Sequence, residues 1–389
     1  MRGRTSGLIV LLLTLMVVTA GCVTVTRETP TQPGPVSPTT VSTSSTTTST
    51  PPATWTNPFV AWNGTQIKLP PHDAQLNCPG ILWRYFLKDA LSCMLGNEEL
   101  EVISPLAKEL KANSTVQSVW NILKWEEEWI SYDKKKAKHP FARVVIYSNG
   151  TQEVVQGKNS TIQTPYETIR RRTGICTDYT VLTDALLLAM NYSPVYALEI
   201  NFTTPPNHAT AAIRINGWFF VLDQHLPPMD LGAYSRYWER QGKKISNATF
   251  YEIFRGRERA RVKSLGTVPG TDFMKQDYTM TSREAKNLAI AMMNLLYEEF
   301  GIKADERLQN MENGTLPSGY RAGWTWRMRY YHMADYYHPF FRDQYAKWFL
   351  SEMIKDPKFA GYLQKSKAAW VDVRIEGDDL VVTIYLGSS

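Results

Sequence analysis

The 389-residue sequence has no Cys/His spacing suited to a metal site, no phosphate-binding loop, no nucleic-acid motif and no internal repeat. Those gaps remove metal-dependent chemistry, nucleotide-driven chemistry, nucleic-acid partners and solenoid folds as starting points. No cofactor is called for. Charge of a single sign is scarce as well: 43 Lys and Arg against 37 Asp and Glu leave a net charge of +6. The basic clusters (Lys134 to Lys138, Arg170 to Arg172, Arg255 to Arg261) are far apart in the chain and read as solvated faces. Hydrophobic residues make up 43% and aromatics 12%, enough to build a large core.

Long apolar runs are rare, and the first sits at the N-terminus. Arg2 and Arg4 precede an apolar stretch from Leu8 to Val18, followed by Thr19-Ala20-Gly21-Cys22. This is a secretion signal. Small residues before a cysteine resemble a lipoprotein processing box, with Cys22 as the lipidated residue. The alternative is an uncleaved anchor over Gly7 to Thr26, close to the ~20 residues a bilayer span needs. Either way the expected location is the cell membrane, with the bulk of the chain extracytoplasmic and the membrane as a partner through the N-terminus. Residues 23–55 are almost all Thr, Ser, Pro and Val, a tether that cannot fold and reaches roughly 30 Å as a coil. Eight Asn-X-Ser/Thr sequons, at Asn63, Asn113, Asn149, Asn159, Asn191, Asn201, Asn247 and Asn313, fit a glycosylated outer surface. Of these, Asn201 falls inside an expected strand.

Thr164 to His225 concentrates the chemistry. Thr164-Pro165-Tyr166-Glu167 predicts a helix start with a capping box and Pro at its first position. Cys176 then opens a second, longer apolar helix that ends near Asn191. A helix start lowers a thiol pKa and favours the nucleophilic thiolate. Val195 to Phe202 alternates like a strand. His208 to Ile215 and Trp218 to Asp223 form a hairpin across the type I′ turn Asn216-Gly217. With those two residues as the loop, Ile215 faces Trp218, Thr210 faces Asp223 and His208 faces His225. His208 and Asp223 become diagonal neighbours roughly 7–8 Å apart at the backbone. A base and its orienting acid then stand together beside a helix-start cysteine.

Glu167, Arg172-Thr173-Gly174-Ile175-Cys176-Thr177-Asp178-Tyr179, His208-Ala209, Gly217-Trp218 and Asp223 together resemble the transglutaminase-like superfamily, relatives of papain-like cysteine peptidases, and archaeal members most of all. The match runs from about Leu100 to His225, and Ile130-Ser131-Tyr132-Asp133 at a helix end also resembles that family. The resemblance implies an α+β, papain-like/transglutaminase-like core: N-terminal helices, the cysteine at a helix start, and an antiparallel sheet carrying His and Asp. It also implies Cys176 as nucleophile, His208 as general base, Asp223 as its partner and the Cys176 N–H as an oxyanion donor. Asp178, Tyr179, Trp218 and His225 are expected in support. Asp178 fits the first-turn dipole and is in reach of Arg171 or Arg172. Gln224 stands where the family usually has proline after the aspartate.

The expected organisation is 1–22 leader or anchor, 23–55 tether, 56–275 transglutaminase-like domain and 276–389 a C-terminal α/β extension, largely helical and ending in a β-hairpin. Ile81 to Leu95 reads as a helix closed by Gly96. Unbroken, it separates Cys78 and Cys93 by ~22 Å, too far for a disulfide. Either it breaks or both thiols stay free. Leu226 to Asp272 reads as broken helical stretches such as Phe250 to Arg257. Thr281 to Glu284 caps a long helix ending at Gly301, and the aromatic stretch Gly319 to Leu350 reads as core. The leading function is cysteine hydrolysis of peptide or amide bonds through an acyl-enzyme, on a peptide or cell-envelope substrate. Amine acyl transfer and a non-catalytic cell-envelope binding module are the alternatives.

Overall fold

The computed structural model describes residues 59–388, apart from 73–75, 77, 148 and 149. The expected leader, Cys22, the tether, the first residues of the expected 56–275 domain and the Asn149 sequon lie outside the described residues. A small antiparallel hairpin, β1 (Phe59–Trp62) and β2 (Thr65–Lys68), precedes three helices: α1 (Leu87–Met94), α2 (Asn97–Leu110) and α3 (Thr115–Trp129). The helix expected over 81–95 is interrupted. A 3-10 turn occupies Leu82–Arg84, and Phe86 is extended before α1 begins. Local side-chain bonds compete with the helix here: the Trp83 indole donates to the Gly80 carbonyl, and the Tyr85 hydroxyl to the Lys158 carbonyl. The break lets Cys78 and Cys93 form a disulfide with their Cα atoms 6.0 Å apart.

Ser114 caps α3 by accepting from the Gln117 N–H. The Gln117 side chain does not return the bond; it engages Asn121 and Gln344 instead. After α3 the chain runs through β3 (Ser131–Tyr132), the hairpin β4 (Arg143–Ile146) and β5 (Gln152–Gln156), and α4 (Pro165–Arg171). The Thr164–Glu167 capping box is present, and Arg172 ends α4 in the left-handed region at φ 54. Then β6 (Thr173–Gly174) pairs parallel with β3. It delivers the chain to α5 (Cys176–Ala189), whose residues from Cys176 to Leu188 are all buried. Tyr179, Val181, Leu182 and the run Ala185 to Leu188 put apolar side chains on more than one face, so the helix lies inside the fold and takes Thr180, Thr183 and Asp184 in with it. Left-handed Asn191, at φ 68, stops it.

The main sheet follows: β7 (Val195–Phe202), β8 (His208–Ile215), β9 (Trp218–Leu222), β10 (Met229–Asp230), then α6 (Leu231–Arg240), β11 (Ile245–Phe254) and β12 (Arg261–Pro269). Its spatial order is β10-β9-β8-β7-β11-β12, antiparallel throughout. Phe250 to Phe254, expected within a helical stretch, is strand. Ile245, Thr249, Phe250, Tyr251 and Ile253 are β-branched or aromatic, and they pair with β7 across the long connection that holds α6. A second sheet, order β13-β15-β16-β14, is built from β13 (Lys303–Ala304), β14 (Ala322–Tyr330), β15 (Ala368–Glu376) and β16 (Asp379–Ser388). The expected terminal hairpin is its centre. Strand β14 is an addition to a region read as largely helical. Helices α7 (Ser282–Phe300), α8 (Arg342–Ile354) and α9 (Pro357–Lys365) accompany it, α7 with its Thr281–Glu284 box and Gly301 stop as expected. Trp120 of α3 packs on Phe341, Tyr345 and Trp348. One buried cluster contains Leu123, Leu186 and Leu222 together with Leu288, Phe341 and Val382, so the two halves share a core.

Candidate active site

Cys176 is the first residue of α5 and is fully buried. Asp178, two residues on, holds the entry to this helix in place. Its carboxylate accepts from the Ile175 N–H at 2.8 Å, the Gln163 N–H and Nε2 at 2.8 Å each, and Lys136 Nζ at 2.6 Å. Lys136, not Arg171 or Arg172, is its ion-pair partner. Gly174 admits this packing, since a Cβ there would meet the Asp178 Cβ at 2.9 Å. Tyr179 donates its hydroxyl to the Ile130 carbonyl at 2.8 Å and ties α5 to the end of α3.

The ladder between β8 and β9 runs from Ile215↔Trp218 to Ala211↔Leu222, around Asn216 at φ 49 and Gly217 at φ 89. It stops there. Gln224 adopts φ 62 and turns the chain away, so His225 does not pair with His208 and is exposed. Asp223, at the start of that turn, receives His208 Nε2 at 2.9 Å on both carboxylate oxygens. Gln224 Nε2 adds a bond at 3.1 Å. His208 also makes a side-chain hydrogen bond with Cys176. With Nε2 committed to Asp223, Nδ1 is the ring nitrogen left for the thiol. Trp218 lies at the opposite end of the hairpin, roughly 20 Å of strand from His208, and its ring edges His338. Cys176, His208 and Asp223 are brought together, Asp178 and Tyr179 frame them, and Trp218 is apart.

The electrostatics follow from burial and pairing. Burial pushes the His208 imidazole down, but the Asp223 carboxylate and Cys176 push it up more strongly, and it ends above its ordinary value. Burial pushes the Asp223 carboxyl up; His208, the Tyr234 hydroxyl and the charge of His225 outweigh this and hold it below the usual range. The pair is therefore imidazolium and carboxylate at neutral pH. A shallow cleft with about 30 Å³ of enclosed space, room for a water or two, opens beside the start of α5, and Ile175 and Thr177 both line it.

A family model for the transglutaminase-like domain matches residues 101–251, from α2 through β11. A UPF0252 protein of Archaeoglobus fulgidus is 36% identical over 309 residues, covering 78% of this chain and 90% of its own. The chain belongs to the UPF0252 family, with a transglutaminase-like domain. UPF0252 proteins of Pyrococcus horikoshii and Pyrococcus furiosus are 30% and 29% identical, each covering 77% of this chain.

This UPF0252 chain holds site residues that sequence spacing did not reveal. Tyr234 of α6, fully buried, donates its hydroxyl to Asp223 Oδ2 at 2.7 Å, and Trp238 one turn later packs on the His208 ring with centroids 5.0 Å apart. Only the aromatic i, i+4 pair in α6 hints at a shared face. Tyr234→Phe is expected to cost about 2 kcal/mol of folding stability at pH 7, the worth of a hydrogen bond to a charged group. The cost should shrink towards pH 3, because a carboxylate with a depressed pKa contributes stability that is lost as pH falls through its folded value. Urea unfolding at the two pH values checks this; an equal cost at both would show that Tyr234 acts by packing alone.

Behind the site lie two buried acids, Glu126 of α3 and Asp184 of α5. Thr183 donates to Glu126 Oε1 at 2.7 Å, whereas Glu126 Oε2 and both Asp184 oxygens have no partner among the described residues. Burial raises Glu126 to about 8, helped by the Asp223 charge, and lifts Asp184 well above its ordinary value, helped by Glu126. Glu126 therefore keeps most of its proton at neutral pH, and Asp184 is shifted in the same direction.

Proposed function

We propose that this chain is a cysteine-type hydrolase of peptide or amide bonds. The observation that carries the reading is the single buried imidazole that hydrogen-bonds both a helix-start thiol and a carboxylate. The Cys176 thiolate attacks the acyl carbonyl carbon, forming an Sγ–C bond, while backbone N–H groups of the first turn of α5 stabilise the oxyanion. The C–N bond breaks, and the amine leaves with the proton of the His208 imidazolium. Water then adds to the thioester, His208 takes its proton, and the C–S bond breaks to return the thiolate. An amine in place of the water gives acyl transfer by the same steps. Incubation of the chain with a peptide-amide library and mass analysis of the products tests the reading. Cleavage that disappears in Cys176→Ser is expected, and cleavage unaffected by that change rejects it.

The location is part of the same proposal: residues 1–26 hold the protein at the membrane with the folded part outside. Arg2, Arg4 and the apolar stretch Leu8 to Val18 support this reading; no helix among the described residues is long and apolar enough to cross a membrane. The Cys78–Cys93 disulfide fits an oxidising compartment. Asn63, Asn113, Asn159, Asn191 and Asn313 are exposed. Asn201 is half-buried and occupied: its Nδ2 donates to Asn247 and its Oδ1 accepts from Asn207. Glycopeptide mapping is therefore expected to find sugar on the exposed five and none on Asn201 or Asn247. Unmodified protein in the cytosolic fraction would contradict the location.

A further inference from the structure

Helix α6 carries two pairs of side chains with different partners. Tyr234 and Trp238 stand one turn apart on one face, where they meet Asp223 and the His208 ring. Arg236 and Arg240 are also one turn apart, and their offset of two residues puts them on the opposite face. Arg236 pairs with Asp277 and with Asp335, whose backbone carbonyl also accepts from its Nη2 at 3.1 Å. Arg240 pairs with Asp335 and, at 3.1 Å, with Asp378, and its Nη1 donates to the Tyr336 hydroxyl. Gly232 begins the same face: its N–H donates to the Gln276 carbonyl at 2.8 Å, and a Cβ there would meet the Asp277 side chain at 2.3 Å.

All three acids lie beyond residue 275, on the extension, and both arginines lie before it, in the expected 56–275 domain. The acids are fixed in their turn. Asp335 sits in the short helix Met333–Tyr336, whose Ala334 N–H donates to the Asp378 carbonyl at 3.0 Å, and the His332 N–H donates to Asp379 Oδ1 at 2.9 Å. Asp378 itself is in the tight turn between β15 and β16. The two arginine side chains are 22% and 23% exposed. At that depth the loss of one partner leaves charges that water only partly covers, so these pairs hold α6 more firmly than exposed pairs would. The two halves already share a core that includes Leu288, Phe341 and Val382, so the network is not what joins them. Its place directly behind the residues that touch Asp223 and His208 gives it another role, because a catalytic group misplaced by about 1 Å loses up to ~100-fold in rate.

We propose that the C-terminal extension sets the geometry of the active site through α6, with Arg236 and Arg240 as positioning residues that keep Tyr234 on Asp223 and Trp238 on His208. The inference rests on the reading of Cys176 as the nucleophile. The extension then governs turnover without contributing a group to the triad. Hydrolysis of the thioester should feel this most, since His208 must be aimed at a water to take its proton, whereas stabilising the thiolate needs only the charge of the ring.

The experiment uses the full-length chain and p-nitrophenyl acetate. In the first step the Cys176 Sγ–C bond forms, the C–O bond breaks and p-nitrophenolate leaves. In the second, water adds to the thioester, His208 takes its proton, and the C–S bond breaks to release acetate and the thiolate. The burst of nitrophenolate reports the first step and the steady rate the second. Arg240→Gln is expected to slow the steady rate by about 10-fold, part of the ~100-fold that a 1 Å misplacement costs. Carboxymethylation of Cys176 at pH 6 should fall by less than ~3-fold in the same variant, because the imidazolium stays beside the thiolate. In a Tyr234→Phe background Arg240→Gln should cost no more than ~3-fold in steady rate, since two residues acting on one contact do not add. Arg374→Gln, which breaks an ion pair with Glu312 at the second sheet, should leave both rates unchanged. If Arg240→Gln does not fold, Asp378→Asn, on an acid 41% exposed, removes part of the same pairing from the other side and should slow the steady rate in the same direction. A folded variant that loses stability to urea yet keeps the wild-type steady rate, or a loss in the Tyr234→Phe background as large as in wild type, would overturn the proposal. A wild-type chain with no acetyl group on Cys176 would overturn the reading of the nucleophile instead, and this inference with it.

Discussion

Replacement of His208 by alanine is expected to slow carboxymethylation of Cys176 by about 100-fold or more at pH 6 and by little near pH 9. A cysteine with an ordinary pKa of about 8.5 is less than one per cent thiolate at pH 6. Beside an imidazolium and at a helix start it is far more so. The Asp223 carboxylate and Cys176 raise His208 above its usual value despite burial. The imidazolium therefore persists through neutral pH, and the stabilised thiolate with it. Above pH 9 a lone thiol ionises unaided, which closes the gap. Asp223→Ala should do less to labelling than to turnover, because the ring stays but loses its orientation. His225→Ala should have a small effect, since His225 is exposed and faces neither Cys176 nor His208 across the ladder. A rate profile for His208→Ala that superimposes on wild type from pH 5 to 9 would show that no ion pair exists.

Glu126→Gln should stabilise the fold by about 2–4 kcal/mol at pH 7.5 and by nothing near pH 4, at ~1.4 kcal/mol per pH unit. Glu126 has an ordinary value of 4.5 and is held near 8 in the fold. Between those values the unfolded chain has released the proton and the folded chain has kept it. Stability then falls as pH rises, until the folded carboxyl also ionises near pH 8. Glutamine keeps the shape and the Thr183 bond but has no proton to hold. Asp184→Asn should act in the same direction, because its carboxyl is raised by burial and by Glu126. The two are neighbours, so their effects should not add. Urea unfolding across pH 4 to 8 measures the slope. A gain for Glu126→Gln that does not vary with pH would mean that Glu126 is not protonated in the fold.

What the sequence disclosed was what local chemistry determines. The Thr164–Glu167 and Thr281–Glu284 capping boxes, the Asn216-Gly217 turn and the terminal hairpin each depend on residues within a few positions of one another, and each is present. The juxtaposition of His208 and Asp223 followed from that turn, although the last step is a bend at Gln224 and not a continued ladder. What remained hidden depends on distant partners. Phe250 to Phe254 is strand because β7 lies alongside it. Lys136 finds Asp178 across 42 residues, and Tyr234 reaches Asp223 only after α6 folds back over β9. The interruption at Phe86 was obscured by an apolar run that satisfies helix periodicity while its side chains bond elsewhere.

Acylation itself leaves a covalent record. Full-length protein mixed with an activated acyl ester, quenched in acid within seconds and mapped by peptide mass spectrometry, should carry one acyl group on the peptide containing Cys176. The adduct should be released by hydroxylamine, as a thioester is, and be absent in His208→Ala. An unacylated Cys176 under conditions where lysines elsewhere are acylated, or an adduct equally abundant without His208, would show that these three residues share a site without forming a nucleophile.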